Sequence, residues 1–286
     1  MYYSALLGKP TDHSISPQLF RIIGEQFKIE YAHIKIDVNS KNLLPDYLNA
    51  LKLLGFCGVN ITLPYKIDVM DFIDEFDESA TKCGAVNTIS FHDGRSKGYN
   101  TDTFGAIQAI EQKLRKIREG DKVCVIGAGG AARAVICEVY RHTKNISIVN
   151  INFAEAIKVS EEMSDGMMKV FELNNKNLYE QIEQSDFIVN TTPVGMSPKP
   201  NCSIVNQLMM SKFKTLEGKC FFDAIFNPYK TKFLIDAETK GAKVCSGIYW
   251  MIFQATAALR VWIDKDYTTK VDPDKIANSL RKYLNS

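Results

Sequence analysis

"DKVCVIGAGGAARAVICEVY", Asp121 to Tyr140, decides the class of fold. It begins with a short apolar run, Val123–Ile126, of the kind that fills a strand buried on both faces. A glycine turn follows, then an amphipathic helical pattern. Within it, "GAGGAA" (Gly127 to Ala132) fits G-x-G-x-x-A between strand and helix. Glycines there permit a tight turn and close approach to a pyrophosphate, which the helix N-terminus stabilises. Gly127, Ala128, Gly129, Gly130 and Ala131 are therefore candidate cofactor-binding residues. The plainer alternative is a turn that only packs strand on helix.

Downstream, the alternation continues. "NISIVN" (Asn145–Asn150) reads as a strand and "FAEAIKVSEEM" as a helix. "SDFIVNTTPVGM" and "KCFFDAIFNP" each hold a further strand. Strands alternating with helices mean βαβ units and a parallel sheet. Upstream, the alternation is less regular. Strands are predicted at Tyr2–Leu7, Tyr31–Asp37, Gly58–Thr62 and Ala85–His92, with "SPQLFRIIGEQF" and "NLLPDYLNALKLLG" helical between them. "HDGR" (His92–Arg95) reads as a hairpin turn. After Cys245, "GIYWMIFQATAALRVWI" is a long apolar helix, and an amphipathic helix follows Pro273. The fold class is α/β, with two α/β domains. A Rossmann-like dinucleotide-binding domain (104–246) is expected between an N-terminal stretch (1–103) and C-terminal helices (247–286). Periodicity alone does not show that these two rejoin as one discontinuous domain, which the resemblance below implies as a substrate-binding domain (1–103 and 247–286).

The bulk numbers exclude several function classes. Lys+Arg is 35 and Asp+Glu is 33, for a net charge of +2. No basic run or aromatic-basic stripe marks a nucleic-acid surface, and the apolar stretches are too interrupted to span a membrane. The opening "MYYSALLGKP" lacks the basic start and long apolar core of an export signal. Seven Cys lie scattered without a CxxC pair, as expected of reduced thiols in a cytoplasmic protein. No metal site is expected.

The end of the second strand in a dinucleotide fold reports the cofactor: an acidic residue suits the ribose of NAD, a basic one the 2′-phosphate of NADP. Asn150, Ile151 and Asn152 are neither. Arg133 and Lys158 are the nearest basic residues in sequence.

Several short polar stretches fall at predicted strand ends, where ligands of open α/β sheets bind. They are "SIS" (Ser14, Ser16), "VNIT" (Asn60, Thr62), "GAVNT" (Asn87, Thr88) and "GYNTD" (Asn100, Asp102). Such hydroxyls and amides suit a small polyhydroxylated acid. Structural alternatives exist: Ser16 before Pro17 makes a good helix N-cap, and Asp102 a cap for a helix beginning near Phe104. If Pro64 opens a helix, Lys66 in "NITLPYK" sits in its first turn, against the helix dipole, which marks it out. His13 has no visible partner.

Together these motifs resemble the shikimate dehydrogenase family across nearly the whole chain, in order. "HSISP", "GFCGVNITLPYK", "GAVNTI" and "GYNTDTFG" are similar to its substrate motifs; "GAGGAARA" and "NTTPVGM" to its cofactor motifs; "DAIFNPYKTKFL" and "GIYWMIFQATAALRVW" to its C-terminal signatures. The resemblance implies the discontinuous architecture and reversible, NADPH-dependent reduction of 3-dehydroshikimate to shikimate. It puts Ser14 and Ser16 on the substrate carboxylate, and Asn60, Thr62, Asn87, Asp102 and Gln254 around the ring hydroxyls. Lys66 and Asp102 form the implied catalytic pair, and Asn150, Thr191 and Gly247 join the glycine turn on the cofactor. Reducing a ketone needs a hydride, which the cofactor supplies, and a proton, which Lys66 is expected to give.

The chain departs from the family's pattern in three places. Asn150-Ile151-Asn152 stands where Asn-Arg-Thr is usual, so NADP is expected with NAD also open. Phe226 replaces a Tyr, and Tyr249 and Trp250 replace Gly and Met near the expected nicotinamide. A quinate or shikimate dehydrogenase with relaxed cofactor use is the second reading, and a non-catalytic ligand sensor the third. A monomer or homodimer is expected.

Overall fold

The computed structural model describes residues 1–284, which divide into two compact units. The first comprises residues 1–105 and 252–284, and the second Ala106–Met251.

In the second unit the strands are β7 (Val123–Ile126), β8 (Ile146–Asn150), β9 (Lys169–Glu172), β10 (Phe187–Asn190), β11 (Cys220–Asp223) and β12 (Lys243–Ser246). They lie in the order β12-β11-β10-β7-β8-β9, every pair parallel. That is the doubly wound dinucleotide-binding order, with its switch point between β7 and β10. Helices α5 (Gly130–His142), α6 (Phe153–Ser164), α7 (Asn175–Gln184), α8 (Gln207–Lys212) and α9 (Lys232–Thr239) join the strands. All residues of β7, β8, β10 and β11 are buried. This is why these strands read as unbroken apolar runs rather than alternations. Their side chains fill a core with Phe213, Phe221, Phe233 and Leu234.

The first unit carries a mixed sheet. Its strands are β1 (Tyr2–Gly8), β2 (Tyr31–Asp37), β3 (Gly58–Ile61), β4 (Glu75–Phe76), β5 (Thr88–His92) and β6 (Arg95–Tyr99), in the order β2-β1-β3-β5-β6-β4. β1 pairs parallel with β2 and β3, whereas β5 runs antiparallel to both β3 and β6. The β5–β6 turn has φ 49° at Asp93 and 75° at Gly94, which Asp and Gly accept more readily than other residues. Helices α1 (Ser16–Phe27), α2 (Leu44–Leu53), α3 (Glu78–Cys83) and α4 (Thr101–Lys113) precede the nucleotide-type unit, and α10 (Gly247–Ile263) and α11 (Pro273–Leu284) follow it. The division between units falls within α4 and again within α10. Trp262 on α10 donates its indole N–H to the Ile89 carbonyl (2.9 Å), so the end of that helix belongs to the core of the first unit.

Two local expectations are corrected. No helix opens at Pro64: residues 63–67 form turns, followed by a short 3₁₀ helix at Asp68–Phe72. Tyr65 sets this geometry, being buried with its hydroxyl on the Val38 carbonyl (2.7 Å). Nor does Ser16 cap α1. The helix already includes it, and Ser14 Oγ accepts its backbone N–H (3.2 Å).

Among the described residues no helix is long and apolar enough to cross a membrane, and no cluster could hold a metal ion.

Candidate active site

In the first unit, hydrogen bonds bring together two groups of the residues singled out: Lys66 with Asp102, and Asn60 with Asn87 and Thr88. Lys66 sits in the turn after β3, its backbone carbonyl accepting from Val86 N–H (2.7 Å). Asp102 is the second residue of α4, inside the helix rather than capping it. The Lys66 ammonium donates to Asp102 Oδ2 at 2.6 Å, with side chains 24% and 17% exposed. A carboxylate in the first turn of a helix is favoured by the dipole, so Asp102 gives Lys66 a fixed anionic anchor.

A buried polar network surrounds the pair. Asn60 Nδ2 donates to the Asn87 carbonyl (3.2 Å) and to Thr88 Oγ1 (3.0 Å). Asn87 Oδ1 accepts the Thr101 backbone N–H (2.7 Å), and its Nδ2 donates to Thr101 Oγ1 (3.0 Å). Both Asn60 amide protons are thus spent on the protein. Thr62 follows directly on β3, half-buried. Ser14 and Ser16 form a hydroxyl pair at the mouth of α1, Oγ to Oγ 3.0 Å. Gln254 lies on α10 in the same unit. His13 is exposed.

In the second unit the glycine turn behaves as its sequence predicts. Gly127 has φ +112°, and a Cβ there would lie 2.5 Å from Thr191 Oγ1. The Thr191 hydroxyl and backbone N–H both donate to the Ile126 carbonyl (2.7 and 2.9 Å), binding the ends of β7 and β10 together. No side chain caps α5, whose N-cap is Gly129. Its first N–H groups therefore face outward, and a Cβ at Gly129 or Gly130 would meet only open space. Uncapped helix N–H groups beside an open glycine turn fit the diphosphate of a dinucleotide. Gly247 packs on the backbone of the chain after β11, where a Cβ would stand 2.1 Å from the Ala224 carbonyl oxygen. Asn150 closes β8 and donates to the Asn152 carbonyl (2.9 Å) and to Glu155 Oε2 (3.1 Å).

Sequence reasoning passed over Asp223. It ends β11, fully buried, and accepts from Thr231 Oγ1 (2.5 Å), Ile225 N (3.0 Å) and Asn190 Nδ2 (3.1 Å). Burial pushes its carboxyl up to about 6 against the pull of those three donors. Asn190 in turn accepts from Thr192 N–H and Oγ1 (3.0 and 2.7 Å). Asp223 thereby fixes two loops at the carboxyl edge of the sheet, and the available signal was an acid ending the apolar strand "CFFD". The bulk at Trp250 is absorbed by packing, the residue being buried with its ring 5.7 Å from Phe222. Tyr249 lies under the Lys113 ammonium, 4.3 Å from ring to nitrogen, and its hydroxyl is 3.4 Å from that of Tyr229.

Comparison with known proteins gives the family. The family model described as the shikimate dehydrogenase substrate binding domain matches residues 6–89, and the one described as shikimate / quinate 5-dehydrogenase matches 109–227. A shikimate dehydrogenase (NADP(+)) of Methanococcus maripaludis is 35% identical over 98% of this chain and 95% of its own. The chain belongs to the shikimate dehydrogenase family. Among solved structures of the family, the Thermus thermophilus enzyme in complex with NADP(H) and shikimate superposes with a TM-score of 0.84 at 29% identity, covering 99% of both chains. The shikimate 5-dehydrogenase of Listeria monocytogenes, in complex with shikimate and NAD, gives 0.85 at 26% identity, covering 98% of this chain and 96% of that one.

Proposed function

We propose that this chain is an NADP-dependent shikimate dehydrogenase, reversibly reducing 3-dehydroshikimate to shikimate in aromatic amino acid biosynthesis. The observation that carries the reading is the 2.6 Å contact between Lys66 and Asp102, set among buried amides and hydroxyls. A ligand sensor has no need of a proton donor held in this way.

In this reading residues 1–103 and 247–286 bind substrate, and 104–246 bind the dinucleotide. Ser14 and Ser16 donate to the substrate carboxylate, a role that their paired hydroxyls support. Asn60 Oδ1 accepts from a ring hydroxyl, and Thr62, Asn87 and Gln254 complete the contacts to the ring. The N-terminus of α5, with Gly127, Ala128, Gly129, Gly130 and Ala131, holds the diphosphate, and Asn150, Thr191 and Gly247 line the rest of the cofactor's path. The bound nicotinamide supplies the hydride that the carbonyl carbon gains. Lys66 Nζ supplies the proton that the carbonyl oxygen gains, then recovers one from solvent. In the reverse direction it takes the hydroxyl proton. Asp102 holds Nζ in place through its hydrogen bond and accepts from a neighbouring hydroxyl of the substrate.

The same reading makes the protein a cytoplasmic monomer or homodimer acting on a small molecule. The net charge of +2 supports a partner other than nucleic acid. The test follows absorbance of the reduced cofactor with shikimate and with quinate, each with NADP and with NAD. Turnover of shikimate with NADP is expected. Turnover of quinate alone would transfer the reading to quinate, and no turnover of either acid would overturn it.

A further inference from the structure

The end of β8 lies beside the glycine turn of β7, and in a doubly wound sheet the side chains there meet the ribose of the adenosine. Three features of this strand end bear on which cofactor it takes. First, Ile151 presents a 79% exposed apolar side chain where a charged one would contact the 2′ position. Second, Glu155, in the first turn of α6, is folded back onto the strand. Its backbone N–H donates to Asn152 Oδ1 (3.2 Å), and its Oε2 accepts from Asn150 Nδ2 (3.1 Å). A carboxylate is thus fastened at the strand end, although the sequence shows none at positions 150–152.

Third, the nearby cations are committed. Arg133 of α5 donates to Glu162 Oε2 at 2.5 Å, its side chain only 14% exposed, and Lys158 stands 3.7 Å from the other oxygen of Glu162. Both cations thus face the single carboxylate of Glu162, one on each oxygen, and with Glu155 counted the four charges sum to zero. A 2′-phosphate brings roughly two negative charges. It would meet Glu155 directly, and Arg133 would meet it with its charge already balanced by Glu162. A 2′-hydroxyl makes no such demand and can donate to the free lone pairs of Glu155.

Resting on the dinucleotide reading above, we propose that Glu155, positioned by Asn150, is a specificity-determining residue that accepts a ribose hydroxyl and lets this chain use NAD alongside NADP.

The test is calorimetric titration of the full chain with NAD and with NADP, without substrate, so that binding is read apart from turnover. Wild-type dissociation constants for the two should lie within about tenfold of each other. Glu155→Gln keeps an oxygen for the Asn150 amide but removes the charge. It should tighten NADP and weaken NAD, moving their ratio by about tenfold. Ile151→Arg should move the ratio further in the same direction, an effect that added salt should reduce. Preference of the wild type for NADP by more than about a hundredfold, or an equal effect of Glu155→Gln on both cofactors, overturns the proposal and leaves the dinucleotide reading standing. Binding of neither cofactor removes both.

Discussion

Two contacts between a cation and a carboxylate, one in each unit, are almost equal in length. Lys66 meets Asp102 at 2.6 Å and Arg133 meets Glu162 at 2.5 Å. Their surroundings differ. Lys66 and Asp102 are both largely covered and lie near hydrogen-bonded, buried amides and hydroxyls. Glu162 is 43% exposed, on a helix face, and shares its charge with Lys158. In the proposed reaction the first pair gives the proton, and in the proposed cofactor site the second neutralises Arg133. Distance alone does not assign a role to an ion pair; the groups around it do.

Removing the acid of each pair should separate them most widely. Asp102→Ala should lower kcat by about 10²–10³-fold, as expected when a general acid loses its orientation. Glu162→Ala should lower it by less than about tenfold, and its effect should appear in cofactor affinity through the released Arg133. Steady-state kinetics with both cofactors measure this, and equal losses of kcat would erase the distinction.

Acid should also act differently on the two units. His33 in the first unit is buried, its Nδ1 2.6 Å from Ser4 Oγ and its Nε2 without a partner among the described residues. Burial pushes it down to about 3 from 6.5. The unfolded chain therefore takes up this proton first, and the stability it represents, complete above about pH 6.5, is lost as pH falls towards 3, by a few kcal/mol. Asp223 in the second unit runs the other way. Its carboxyl is raised to about 6 from 3.8 by burial, so the folded chain binds the proton first, and stability rises as pH falls through that window. Urea unfolding between pH 3 and 8 should show the His33 loss disappear in His33→Phe and the Asp223 gain disappear in Asp223→Asn. Unchanged profiles in both variants would refute the assignment.

The smallest of these effects concerns the cofactor turn. Gly127→Ala puts a side chain at φ +112° and 2.5 Å from Thr191 Oγ1. Strain of this kind costs about 1–3 kcal/mol and should raise the cofactor KM while shikimate binding to the first unit, read by calorimetry, stays as in wild type.

Much of this was legible in the sequence. β7, β8, β10 and β11 are buried on both faces, so their apolar runs stand out, and α1 spans Ser16–Phe27 as its pattern predicts. β4, β9 and β12 escaped because they are short and carry charged or half-exposed residues. Edge strands hold little apolar signal, and their pairing partners are distant in sequence. The resemblance named Lys66 and Asp102, but the turn that carries Lys66 depends on Tyr65 reaching Val38, a contact between residues 27 apart. Asp223 and Glu155 were missed because side-chain contacts, rather than strand or helix pattern, mark them. Their partners Asn190, Thr231 and Asn150 are set by packing of loops and strand ends, and local pattern does not encode such meetings.

The most direct measurement of the central claim is the turnover of Lys66→Ala with shikimate and NADP, alongside calorimetric binding of shikimate to the same variant. If Lys66 carries the proton, kcat falls by about 10²–10⁴-fold while shikimate still binds. Turnover close to wild type would contradict the account.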